Sequence, residues 1–287
     1  MDRQAQRAIV RAALAAVPRE RGSVASERES FEAFAAARPP DPRLVRDEVT
    51  LGGRPAVRLR ADGDGPVLLY LHGGGYVVGS GRTGAGLAGA LAVRTGGVAY
   101  SLDYRLAPEH VHPHGVEDAL AAYRELVAGG GDVVVAGDSA GGGLAVSLLI
   151  EAREAGLAQP RAAVVFSPWV DLTLAGESMR TRDGVDPLFT VESLRWYAIK
   201  YAPGREKEAS PLFADLSRIA PLLIQVGNDE VLLDDAVRLA AKVAADGGTV
   251  RLEVGAGLPH VYQNNFGRLD DADDALDRAA RFVGEPG

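Results

Sequence analysis

Asp132-Val133-Val134-Val135-Ala136-Gly137-Asp138-Ser139-Ala140-Gly141-Gly142 runs four apolar residues into a serine flanked by glycines. The apolar residues read as a buried strand. Gly142-Gly143-Leu144-Ala145-Val146-Ser147-Leu148-Leu149-Ile150 reads as a buried helix. Between them lies Gly-x-Ser-x-Gly, the strand–turn–helix context of a nucleophile elbow. Such a turn is strained at its serine, and a bulky side chain two residues to either side would clash. Gly137 and Gly141 occupy those two positions. A serine held this way lifts its oxygen clear of the backbone. It also aims the Ala140 N–H and the positive end of the following helix at the reacting atom.

Outward from this turn, short apolar runs alternate with helical patterns. Strands are expected near 44–51, 54–61, 67–71, 97–102, 133–135, 163–166, 222–226 and 250–254. The first two form a hairpin turned at Gly52-Gly53. Helical patterns fall near 83–95, 114–128, 140–155, 232–245 and 269–283. Apolar strands alternating with helices imply an α/β fold, with a mostly parallel eight-stranded sheet covered on both faces. Right-handed crossovers then set its winding. Residues 1–40 look helical and amphipathic, with Ile9, Val10, Leu14 and Val17 near helical spacing and Phe31 and Phe34 as a second apolar pair. Pro39-Pro40-Asp41-Pro42 ends that region. Residues 178–207 break the alternation and read as an insertion over the sheet.

The chain has 287 residues, 47% hydrophobic and 24% charged, as ordinary globular proteins do. Its formal net charge of −8 argues against a nucleic-acid partner and against a polybasic membrane anchor. The absence of cysteine excludes disulfides, thiol catalysis and cysteine metal sites. The longest early apolar run, Ala12 to Val17, is short for a signal sequence, and no stretch reaches membrane-spanning length. A cytoplasmic location is the expectation.

A serine hydroxyl needs a base to become a useful nucleophile. Of the five histidines, His72, His110, His112 and His114 precede Ser139 and only His260 follows it. In the order nucleophile, acid, histidine that accompanies this elbow, His260 is the base. The acid should follow a strand between them. Leu222-Leu223-Ile224-Gln225-Val226-Gly227-Asn228-Asp229 supplies Asp229, with Glu230, Asp234 and Asp235 as rivals. Asp234 and Asp235 suit the start of the next helix better, where carboxylates favour the dipole. Leu71-His72-Gly73-Gly74-Gly75-Tyr76 follows another strand and offers backbone amides with no side chains in the way. Gly74, Gly75 and Ala140 are the expected oxyanion donors, Gly73 shapes the turn, and His72 is structural. Tyr76, Trp169, Phe189 and Tyr197 are expected substrate-pocket walls. Trp196 and Tyr262 are further candidates, and core packing is the alternative for each.

His72-Gly73-Gly74-Gly75, Asp103-Tyr104-Arg105-Leu106-Ala107-Pro108-Glu109 and Gly137-Asp138-Ser139-Ala140-Gly141-Gly142 stand in one order. Together with Asp229 and His260, they resemble the hormone-sensitive-lipase-like branch of the α/β-hydrolases, the family IV bacterial carboxylesterases. The resemblance runs from about residue 44 to the C-terminus. It implies a catalytic domain over 44–287 and a cap built from residues 1–43 plus the 178–207 insertion. It also implies hydrolysis of short- to medium-chain acyl esters, or of lactones, without a cofactor or metal. The Asp103–Glu109 segment would brace the oxyanion loop and elbow. The partner would be a small-molecule ester, and an exposed last strand would allow a homodimer. An amidase or deacetylase would use the same triad. A non-catalytic receptor on this fold would lack His260. The three histidines in Glu109-His110-Val111-His112-Pro113-His114 depart from the family pattern, and without a thiol or clear acidic partner they make a poor metal site.

Overall fold

A computed structural model describes residues 1–17, 21–36 and 41–285. The Pro39-Pro40 boundary lies outside the described residues. In chain order the strands are Val45–Leu51 (β1), Arg54–Arg60 (β2), Val67–Leu71 (β3), Val98–Leu102 (β4), Val133–Asp138 (β5), Ala162–Phe166 (β6), Leu222–Gly227 (β7) and Val250–Gly255 (β8). The α-helices are Arg3–Ala15 (α1), Val24–Ala36 (α2), Gly81–Thr95 (α3), His114–Ala128 (α4), Ala140–Glu154 (α5), Ser178–Thr181 (α6), Val191–Tyr201 (α7), Leu233–Ala245 (α8) and Asp270–Gly284 (α9). One sheet takes all eight strands in the order β1-β2-β4-β3-β5-β6-β7-β8. The β1–β2 and β2–β4 pairs are antiparallel, and all the others are parallel.

Each expected strand is present. Helix α3 begins two residues before its expected start because Ser80 caps it. The Ser80 hydroxyl accepts from Thr83 N while Thr83 Oγ1 accepts from Ser80 N. Gly96 closes α3 in the left-handed region.

The central strands β5, β6 and β7 are buried throughout, as a sheet covered on both faces requires. Residues of α3 and α9 pack on one face, and residues of α4, α5 and α8 on the other. Strand order reverses between β3 and β5, so the loops leaving those two strands lie side by side. That is the switch point where α/β sheets place their sites.

The N-terminal helix docks by its own chemistry. Val10 and Leu14 pack with Leu258, Tyr262, Leu269, Ala272 and Ala275, while Ile9 faces solvent. Arg3 and Arg7 pair with Asp271 in the acidic first turn of α9. No helix among the described residues is long and apolar enough to cross a membrane.

Candidate active site

Ser139 lies between β5 and α5 with φ 53° and ψ −121°, outside the regions a serine prefers. The neighbours hold it there. Its N–H donates to Phe166 O, and its carbonyl accepts from Gly143 N and Trp169 N. A Cβ on Gly137 would strike the Gly141 carbonyl, and one on Gly141 would strike the Leu71 carbonyl. The glycine spacing is therefore a packing requirement of the elbow.

The loop after β3 is pinned beside it. Gly73 N donates to Asp138 Oδ1, which also accepts from the Tyr70 hydroxyl. Burial pushes the Asp138 carboxyl above its usual range against those two bonds. The N–H groups of Gly74, Gly75 and Ala140 have no hydrogen-bond acceptor among the described residues. Gly75 has φ +59°, and a Cβ there would meet the Tyr197 ring.

Residues 103–109 buttress this loop. The Tyr104 hydroxyl donates to His72 O, and its ring stacks on the His72 ring at 4.3 Å. Ala107 N donates to Tyr76 O, and Arg105 pairs with Asp118 on α4. His72 is buried, its Nδ1 against Gly73 O, and burial lowers its pKa to about 4. A neutral ring packed in this way is structural.

His260 follows β8 and is buried. Its Nδ1 lies 2.9 Å from Glu230 Oε1, and Glu230 is wholly buried. The second Glu230 oxygen accepts from the Ser167 hydroxyl and from Gly227 N. Ser167 Oγ in turn accepts from Val261 N. Burial disfavours a charged His260, but the carboxylates of Glu230 first, then Asp186 and Asp138, together outweigh it, and the pKa lies above the usual imidazole value.

The expected pairing of His260 with Asp229 is corrected by this geometry. Asp229 turns the other way, and its Oδ2 pairs with Arg11 of α1 at 2.9 Å. The loops after β7 and β8 clamp together: Asn228 N donates to Gly255 O, Asp229 N to Leu258 O and Gly257 N to Asn228 Oδ1. That clamp sends residue 229 outward and residue 230 inward. Asp234 and Asp235 sit in the first turn of α8.

Ser139 and His260 line one cavity of about 450 Å³ with Gly74, Gly75, Trp169, Phe189 and Tyr197. Further walls come from the end of α1 and the residues after it, from α2, from the segment before α7 and from the loop after His260, through residues such as Leu14, Val17, Phe31, Leu188 and Val261. The Phe189 ring stands edge-on to His260 at 5.0 Å. Tyr76 is corrected from a pocket wall to a core residue. It stacks on Tyr201 at 3.9 Å and its hydroxyl donates to Trp169 O, so it supports the pocket from behind. Trp196 packs on Tyr197 and Lys200, and Tyr262 packs under α1.

Two residues that sequence reasoning passed over belong to this arrangement. Ser167 follows β6 with φ 46° and bridges Glu230 to the His260 loop. Buried Asp186 accepts from Leu188 N, Phe189 N and Val231 N, tying the segment over the sheet to the loop that carries Glu230. Their one sequence signal is position, just after a parallel strand or between two chain segments that meet there. Among the described residues no group of three or more His, Asp or Glu could hold a metal. His112 faces the Tyr201 hydroxyl and His114 its own turn at Val111 O. A larger groove of about 870 Å³, lined by His112, Glu117, Glu151 and residues 204–211, contains neither Ser139 nor His260.

The strained serine and the buried histidine–carboxylate pair stand in a chain that is similar to known proteins. The family described as alpha/beta hydrolase fold matches residues 68–264. The chain belongs to that family. It is 42% identical over 244 residues to an acetyl-hydrolase of Streptomyces hygroscopicus, covering 83% of this chain and 82% of that one. It is 35% identical over 225 residues to an ethyl acetate hydrolase of Pseudomonas putida, covering 74% and 70%. A crystal structure of an esterase from the bacterial hormone-sensitive lipase family superposes with a TM-score of 0.93 at 38% identity, over 99% of this chain and 98% of that one. This α/β-hydrolase is a carboxylic-ester hydrolase of the hormone-sensitive-lipase branch.

Proposed function

We propose that the chain is a serine carboxylesterase acting on short- to medium-chain acyl esters through Ser139, His260 and Glu230. The observation that carries this is the buried His260–Glu230 pair, whose histidine lines the same cavity as Ser139. Glu230 holds Nδ1 protonated and leaves Nε2 free to take a proton. His260 removes the Ser139 proton as the oxygen attacks the ester carbonyl. The N–H groups of Gly74, Gly75 and Ala140 receive the negative oxygen. His260 then protonates the leaving alcohol, and water resolves the acyl-enzyme by the same steps in reverse roles.

The chain-length preference rests on the walls. A cavity of about 450 Å³ is near the lower end of ligand pockets, which span roughly 300–1,000 Å³. Helices α1 and α2 and the 178–207 insertion form its cap in this reading. The similar acetyl-hydrolase and ethyl acetate hydrolase act, by their names, on small acyl groups. Hydrolysis of p-nitrophenyl esters from acetyl to palmitoyl, run beside Ser139→Ala, tests the proposal. Turnover should peak at short chains and collapse in the variant. Best turnover on palmitoyl would overturn the chain-length assignment, and full activity in Ser139→Ala would overturn the nucleophile.

A further inference from the structure

Arg21, just before α2, lines the same cavity as Ser139 and His260. Its side chain is only 9% exposed. One end of the guanidinium is used: Nη1 donates to Glu27 Oε2 at 3.1 Å, and Glu27 Oε1 accepts from Gly22 N. The Phe189 and Tyr197 rings, both cavity walls, lie 5.6 and 5.7 Å from the guanidinium carbon. Nε and Nη2 are buried and make no well-formed hydrogen bond among the described residues, with the Tyr197 hydroxyl as the neighbouring polar group that the guanidinium acts on. Those two nitrogens form the side-on edge of the guanidinium, whose parallel N–H bonds match the two oxygens of a carboxylate. Buried donors of a permanently charged group are costly to leave unpaired. Glu27 fixes the orientation and leaves this edge for a ligand.

We propose that Arg21 binds a carboxylate at the far end of the substrate, so that the preferred esters are half-esters of dicarboxylic acids. The carboxylate site presupposes that Ser139 and His260 hydrolyse esters. Glu27 is the other charge at this wall. Because it already neutralises Arg21, the discrimination comes from the fork geometry more than from net charge.

The experiment measures kcat/KM for monomethyl half-esters from succinate to suberate. Methyl alkanoates and dimethyl diesters of the same chain lengths run beside them, with product quantified by chromatography. At one chain length the half-ester should exceed both neutral esters by about tenfold or more, as a paired charged hydrogen bond warrants. In Arg21→Met the half-ester to alkanoate ratio should fall to one or below. Arg21→Lys, which keeps the charge and loses the fork, should recover only part of it. Equal rates for half-ester and alkanoate in the wild type would overturn the carboxylate site while leaving the esterase reading intact. So would a ratio retained in Arg21→Met, and a diester matching the half-ester would replace the carboxylate with a neutral acceptor. No turnover of any methyl ester by folded wild type would overturn the esterase reading itself, and the carboxylate site with it.

Discussion

Two loops at the same edge of the sheet, the elbow after β5 and the loop after β7, deliver their side chains by different means. In the elbow, backbone sterics decide each position. Gly137 and Gly141 exclude any larger residue, and Ser139 is held at φ 53° between fixed hydrogen bonds. In the loop after β7, two adjacent carboxylates go to opposite fates. Glu230 is fully buried against His260, whereas Asp229 is 24% exposed and paired with Arg11. A turn restricted by its own backbone can be read from residue types. A turn whose side-chain directions depend on a neighbouring loop cannot.

Ser139→Ala is the harshest test of the elbow. It should lower kcat by about 10⁴-fold or more, as loss of a triad nucleophile does. A loss under tenfold would break the elbow side of the comparison. Next comes the carboxylate pair. Glu230→Gln should cost about 10⁴-fold in kcat, in line with loss of the acid from such a triad. Asp229→Asn should change kcat by less than about threefold. Steady-state rates for the two variants, measured side by side, would invert the comparison if Asp229→Asn proved the more damaging.

Gly75→Ala probes the oxyanion loop, where a Cβ would push on the Tyr197 ring and displace the N–H. A kcat loss of about 10²-fold is expected, as for one lost donor. Wild-type KM and kcat together would mean that Gly75 does not position a donor. The pH profile sharpens the account of His260. The base must start neutral, and its pKa is raised, so kcat/KM should climb through an apparent pKa above about 6.5. Removing the Glu230 charge removes the main raising influence, so the acid limb in Glu230→Gln should move to lower pH. An unmoved limb would separate the histidine from Glu230.

The smallest effect belongs to the outward carboxylate. Breaking the partly exposed Arg11–Asp229 pair with Arg11→Met should cost at most about 1 kcal/mol. Calorimetry should record a Tm drop of no more than about 4 °C. A larger drop would make that pair a main anchor of α1 rather than a supplement to Val10 and Leu14.

The fold was legible because burial leaves a strong trace in a chain. A strand covered on both faces must be largely apolar, as 133–136 and 222–224 are, and the helices between must carry one apolar face. The serine and histidine of the proposed triad were legible from the elbow and from chain order, since four of five histidines precede Ser139. The buttress in 103–109 was legible only through resemblance, because nothing in its composition says that Tyr104 reaches the His72 carbonyl.

What the sequence determined by itself was therefore what backbone sterics and burial impose locally: the alternating strands and helices, the glycine-flanked serine, and the one histidine in the right order. The tertiary structure alone decided which carboxylate meets His260, that Tyr76 stands behind the pocket, and that Ser167 and Asp186 join it. Those outcomes depend on two or three segments distant in sequence meeting at one point. A side chain's direction there is set by the partner it finds, and no single segment specifies that partner.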